Sequence, residues 1–198
     1  MARLFDGTDD RLEKDVAVVT VAPLTLACWF RSLNVAAFQS IMWVGNKDVQ
    51  GDFFRLAIAG NVAGDPVFVT TNDNGIQGSA LSTTGYSIDA WHHGAAVFVS
   101  STDRRAFIDG GSKGINSDNS TPSGVNRTGI GRNARLTPTN YFVGRIAEAA
   151  IWNVALTDEE IARLAGGERV IEIRPGNLKG YWSIFGASPE TDYSGRGN

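Results

Sequence analysis

Apolar positions in this chain gather in short stretches, each stopped by glycine, asparagine, aspartate or proline. Stretches of that length, rich in β-branched and aromatic residues and bounded by turn formers, predict strands rather than helices. Strands are expected over 3–5, near 11–13, and over 24–31, 40–44, 53–58, 66–71, 91–99, 105–108, 128–131 and 141–152, with 171–173 and 178–185 completing the sheets. Asn72-Asp73-Asn74-Gly75 carries an Asn-Gly pair, whose residues tolerate positive φ, so a hairpin turn is expected there. Residues 111–126 are polar and read as a long connection over the surface. One segment, 157–165, has a helical pattern: Thr157 and Glu160 have capping-box spacing, Ile161 and Leu164 form an apolar face, and Gly166-Gly167 ends the turn. The fold class is therefore all-β, with a single short helix.

A chain of 198 residues fits one domain, 1–198, since β-sandwiches of this size form single units. A net charge of −3 on a chain with 20% charged residues favours neither nucleic acid nor an acidic membrane surface. Cys28 is the only cysteine, which excludes an internal disulfide and a cysteine-based zinc site. The first residues have no apolar core of a signal peptide, and no run reaches the ~20 apolar residues of a membrane span. Synthesis in a cytoplasm without a secretion signal is the expectation.

Phe5-Asp6-Gly7-Thr8-Asp9-Asp10 opens the chain, and Leu24-Thr25-Leu26-Ala27-Cys28-Trp29-Phe30, Trp91-His92-His93-Gly94-Ala95 and Ala106-Phe107-Ile108-Asp109-Gly110 follow in order. The run from Phe142 through Trp152 into Leu156-Thr157-Asp158-Glu159-Glu160-Ile161 is a late strand leading into a capped helix. These fragments, the last most specifically, resemble the laminin G-like branch of the concanavalin A-like lectin/glucanase superfamily. The resemblance implies a jelly-roll sandwich of two antiparallel sheets with the helix packed at one end. It also implies one further strand after Asn198, so either the sequence is a truncated piece, or that strand comes from a partner or is absent. An unpaired edge left behind would be a place for another subunit to add a strand.

Glycosidases of that superfamily place two or three carboxylates alternately on one strand. No such pattern occurs; Glu168 and Glu172, read as one strand, would stand ~13 Å apart, too far to flank a glycosidic bond. His92 and His93, as strand neighbours, face opposite ways and cannot share a metal; one is expected buried and hydrogen-bonded, the other at the surface. Gly129-Ile130-Gly131 lacks a following helix and is a poor dinucleotide site. Arg127, Arg132 and Arg135 form a basic cluster, read as a solvated loop or as a seat for an anionic glycan or a subunit. Calcium is the cofactor to weigh, because hard cations need oxygens converging from turns. Asn46 to Asp52 resembles the calcium loop of pentraxins, which makes Asp48 and Asp52 the metal candidates.

Trp43, Trp91, Trp152 and Trp182 lie in strand patterns and are expected in the core. The exposed candidates for carbohydrate binding are then Asp73, Asn74, Tyr86, Asn140 and Tyr141. The expected function is non-catalytic surface recognition by a decoration or fibre-type protein of a virus particle, such as a bacteriophage. Its partners would be glycans or other structural subunits, in a homo-oligomer on the virion surface. The alternative is a calcium-dependent lectin domain of a bacterial protein, with a glycoside hydrolase third.

Overall fold

A computed structural model describes residues 2–186 and 189–198. The strands are β1 (Arg3–Asp6), β2 (Leu12–Lys14), β3 (Leu24–Ser32), β4 (Phe38–Gly45), β5 (Phe53–Ala59), β6 (Pro66–Asp73) and β7 (Ile76–Gly85). They continue with β8 (His92–Ser100), β9 (Asp103–Ile108), β10 (Gly111–Asn116), β11 (Arg127–Ile130), β12 (Val143–Trp152) and, after helix α1 (Asp158–Ala165), β13 (Leu178–Trp182). Among the described residues they form two antiparallel sheets. The seven-stranded sheet runs β1-β12-β3-β8-β9-β10, with β13 also on β12; the six-stranded sheet runs β2-β11-β4-β5-β6-β7. The architecture is the expected jelly-roll sandwich.

Period-two alternation builds the interior. Leu24, Leu26, Cys28 and Phe30 of β3 point between the sheets and meet Phe54, Leu56, Val67 and Val69 from the other side. Each such side chain contributes about 1.5–3 kcal/mol by leaving water. Cys28 is 1% exposed, and burial pushes its thiol well above the usual range. A second apolar layer lies on the outer face of the seven-stranded sheet. There Ala27, Ala95 and Ala150 leave room for Ile161 and Leu164 of α1 to settle beside Trp152 and Phe107. The helix starts as its spacing predicts: the Thr157 hydroxyl accepts from the Glu160 amide at 3.2 Å, and the Glu160 carboxylate accepts from the Thr157 amide at 2.9 Å.

Three readings of the sequence need correction. Residues 111–126 are not one loop: the first part is β10, and Arg104 ties down the stretch after it by donating to the Asp118 carbonyl at 2.6 Å. At Gly114 the edges of the two sheets nearly touch, since an added Cβ would stand 1.6 Å from the Leu81 carbonyl oxygen of β7. Strand β7 itself, built largely from Ser, Thr, Gly and Ala, has no counterpart among the expected strands. Residues 171–173 are not a strand; Val170–Glu172 is a 3₁₀ turn that lays Val170 onto the outer apolar layer. Beyond β13 the chain returns beside that strand, where Asp192 bridges Trp182 and the Tyr193 amide donates to the Tyr181 carbonyl at 2.7 Å. Among the described residues no helix is long and apolar enough to cross a membrane.

Candidate functional site

Outward alternation on the seven-stranded sheet sets the site. On β3 the outward residues are Thr25, Ala27, Trp29 and Arg31, and the register brings Trp29 opposite His93 of β8 and Ala147 of β12. α1 and the turn after it cover the Ala27 half of this face. The other half stays open as a shelf made by Trp29, Arg31, Trp91 and Arg145, with Ala147 as its floor. Trp91, expected in the core, is 40% exposed because it precedes β8 and obeys the turn instead of the sheet's alternation. The charges on the shelf differ. Arg31 is neutralised by Asp89 at 2.8 Å, whereas Arg145 donates to the Ala2 carbonyl at 2.8 Å and forms no ion pair among the described residues.

Trp29 also lines a second cavity, of about 290 Å³, together with His93, Glu148, Tyr181 and Arg169. Glu148 reaches it through a β-bulge. The ladder between β12 and β3 slips between Ala147 and Ala150, and Glu148 takes the left-handed conformation at φ 53°. The Tyr181 hydroxyl donates to Glu148 Oε2, which fixes the carboxylate against β13. Burial, and after it this neighbour, raises the Tyr181 pKa. His93 is 2% exposed, meets Trp29 edge-on at 5.5 Å, and its Nδ1 has no hydrogen-bond partner. Burial pushes its pKa down to about 4 against the weaker pull of Asp109, so the ring is neutral at pH 7. Its neighbour His92 faces the other way, bonded through Nδ1 to Asp109 at 2.8 Å. Together the cavity offers a flat aromatic wall, a carboxylate, an uncharged imidazole and a guanidinium. That set binds a polar ligand with both donors and acceptors.

The residues singled out from sequence fall elsewhere. Asp73 ends β6 and Asn74 (φ 44°) sits in the expected hairpin turn, while Asn140 (φ 56°) and Tyr141 close the loop before β12. Among the described residues the two pairs share no hydrogen bond. Tyr141 accepts from Arg132 at 2.9 Å. Tyr86, expected at the surface, is 4% exposed, because its hydroxyl finds the Asn34 carbonyl at 3.0 Å and its ring packs on Phe30. Of the basic cluster, Arg127 pairs with Asp15 at 2.7 Å and Arg132 with Glu13, so only Arg135 lacks an ion pair among the described residues.

Asp48 and Asp52 do not fit a calcium ion as they stand. Asp48 is engaged by the Lys47 ammonium at 2.7 Å and the Asn126 amide at 2.8 Å, which hold its carboxyl below the usual range. Asp52 accepts from the Ser123 amide at 3.0 Å and hydroxyl at 3.3 Å. Both carboxylates pin the segment before β11, and no group of three or more His, Cys, Asp or Glu among the described residues could hold a metal ion.

The same architecture occurs in solved structures. The heptameric SAP-like pentraxin of Limulus polyphemus superposes with a TM-score of 0.70 at 13% identity, covering 97% of this chain and 91% of its own. The CBM40 domain of the Ruminococcus gnavus IT-sialidase, bound to α2,3-sialyllactose, gives 0.67 at 16% identity over 83% of this chain and 95% of its own. Domain 4 of the GH43 arabinanase AbnA from Geobacillus stearothermophilus, in complex with arabinotriose, gives 0.67 at 17% over 83% and 76%. Likeness at these identities concerns the fold. No curated protein matches the sequence significantly. Residues 6–162 match a family model, and on that match the chain belongs to the concanavalin A-like lectin/glucanases superfamily.

Proposed function

We propose that this protein is a non-catalytic glycan-binding module whose site is the outer face of the seven-stranded sheet. The observation that carries the reading is the exposed indole of Trp91 on an uncovered shelf that shares Trp29 with the Glu148 cavity. A sugar presents an apolar CH face to an aromatic ring and hydroxyls to its sides. Glu148, His93 and Arg169 are placed to meet those hydroxyls. The carbohydrate-bound domains that share this fold support the reading.

The test is a glycan panel titrated against the protein by calorimetry. Trp91→Ala should weaken a bound glycan about fivefold, the worth of roughly 1 kcal/mol of aromatic contact. Glu148→Gln should weaken it further, without change in melting behaviour. Binding that neither substitution alters would place the site elsewhere, and turnover of the glycan would end the non-catalytic reading.

The finer assignment is to a virion decoration or fibre protein that works as a homo-oligomer. What supports the oligomeric part of it is that a sandwich of this kind assembles into a heptamer in the Limulus pentraxin. Its solution mass decides the matter.

A further inference from the structure

The six-stranded sheet has an outer face of its own, and its centre is an arginine. Phe54 and Leu56 of β5 point into the sandwich, so Arg55 points out. The register aligns a row across three strands, Arg55 opposite Thr70 and Thr70 opposite Ser79. Beside it, Phe53 stands opposite Asn72 and Asn72 opposite Gln77. The guanidinium lies 4.6 Å from the Phe38 ring and 4.9 Å from the Phe53 ring. Arg55 is 6% exposed, yet its one hydrogen bond is a long contact of 3.4 Å to the Thr70 hydroxyl, and its Nε has no partner.

Among the described residues Arg55 forms no ion pair. Arg135 follows Ala134, which packs with Phe53, and its guanidinium donates to the Thr139 hydroxyl at 3.3 Å. Burial, with the repulsion of this second cation, lowers the Arg55 pKa to about 9. Two aromatic faces return about 0.5–2 kcal/mol each to a buried cation. Stripping water from an unpaired ion costs several kcal/mol. Packing alone therefore leaves the balance short, and the missing contribution has the sign of an anion.

We propose that the outer face of the six-stranded sheet is an anion-binding site in which Arg55, with Arg135 and the Thr70 hydroxyl, receives a single carboxylate or sulfate group. The phenylalanine rings form its walls, and the Ser79 and Gln77 side chains lie along the row by which the rest of the ligand would leave. The site is on the sheet opposite the Trp91 shelf and does not depend on it.

The experiment monitors the Arg55 Nε–H signal by NMR while sodium glucuronate, sodium sulfate and, at matched ionic strength, sodium chloride are titrated in. A saturable shift with glucuronate or sulfate but not chloride is expected. A response to glucuronate alone identifies a carboxylate ligand, and one to sulfate alone a sulfated one. Arg135→Ala should weaken the response about tenfold, the worth of one charge-assisted contact. Arg55→Met keeps the stem between the rings and should fold. It should also abolish the difference in melting temperature between glucuronate and chloride, while Trp91→Ala leaves that difference intact. A signal indifferent to both anions, or a melting difference that persists in Arg55→Met, overturns the proposal.

Discussion

His93 is a buried imidazole held neutral, and its environment makes a pH-dependent prediction. Unfolded, it takes a proton near its ordinary pKa; folded, burial delays that to about 4. The depressed pKa means its contribution is complete above the ordinary value, is lost as pH falls through the window, and levels off below the folded one. Each unit inside the window removes about 1.4 kcal/mol, on the order of 3 kcal/mol in full. Urea melts at about pH 7 and about pH 5 should show a drop that His93→Gln largely removes; equal drops in both proteins would assign the acid lability to other groups. At this scale the sequence was a partial guide. The opposite facing of His92 and His93 could be had from adjacency on a strand. The exposure of Trp91 and the burial of Tyr86 could not, because each is set by a turn whose path no local pattern records.

Strands with apolar inward faces, such as β3, β5 and β8, were legible from alternation. β7 was not, because its inward positions are Gly78, Ala80 and Ser82, which carry almost no hydropathy signal. β10 was missed because it is a polar edge strand. Residues 171–173 had the apolar alternation of a strand but too short a run to commit the backbone. The bulge at Glu148 did leave a trace: Ile146 and Ile151 both face inward although five residues apart, an odd spacing that regular alternation cannot satisfy. The edge contact at Gly114 gives the prediction at this scale. Gly114→Ala forces backbone apart and should destabilise by about 1–3 kcal/mol. Gly111→Ala in the same strand, with nothing within 4 Å of the added carbon, should change little. Equal urea midpoints for the two variants would show that β10 does not hold the sheets together.

Across the whole molecule, both outer faces carry polar and aromatic groups while the interior is apolar apart from the Arg104 end, so either proposed site would leave the other face free. Light scattering tests assembly. A mass independent of concentration and larger than one chain supports the virion-subunit proposal, and a monomer at every concentration removes it without touching the glycan site. Calcium and a chelator should leave both mass and melting temperature unchanged, because Asp48 and Asp52 already hold the segment before β11. A melting temperature raised by calcium would show that those carboxylates exchange their partners for the ion.

Cys28 lies between the sheets at 1% exposure, and no second cysteine competes with it. A thiol so placed is inert until the sheets part, since both its access and its ionisation are withheld. Every molecule thus carries a single latent reporter that a thiol reagent can read only once, at the moment of opening. Its labelling rate in plain buffer measures how often the sandwich breathes open. A glycan on one face or an anion on the other should each slow that clock in proportion to its binding.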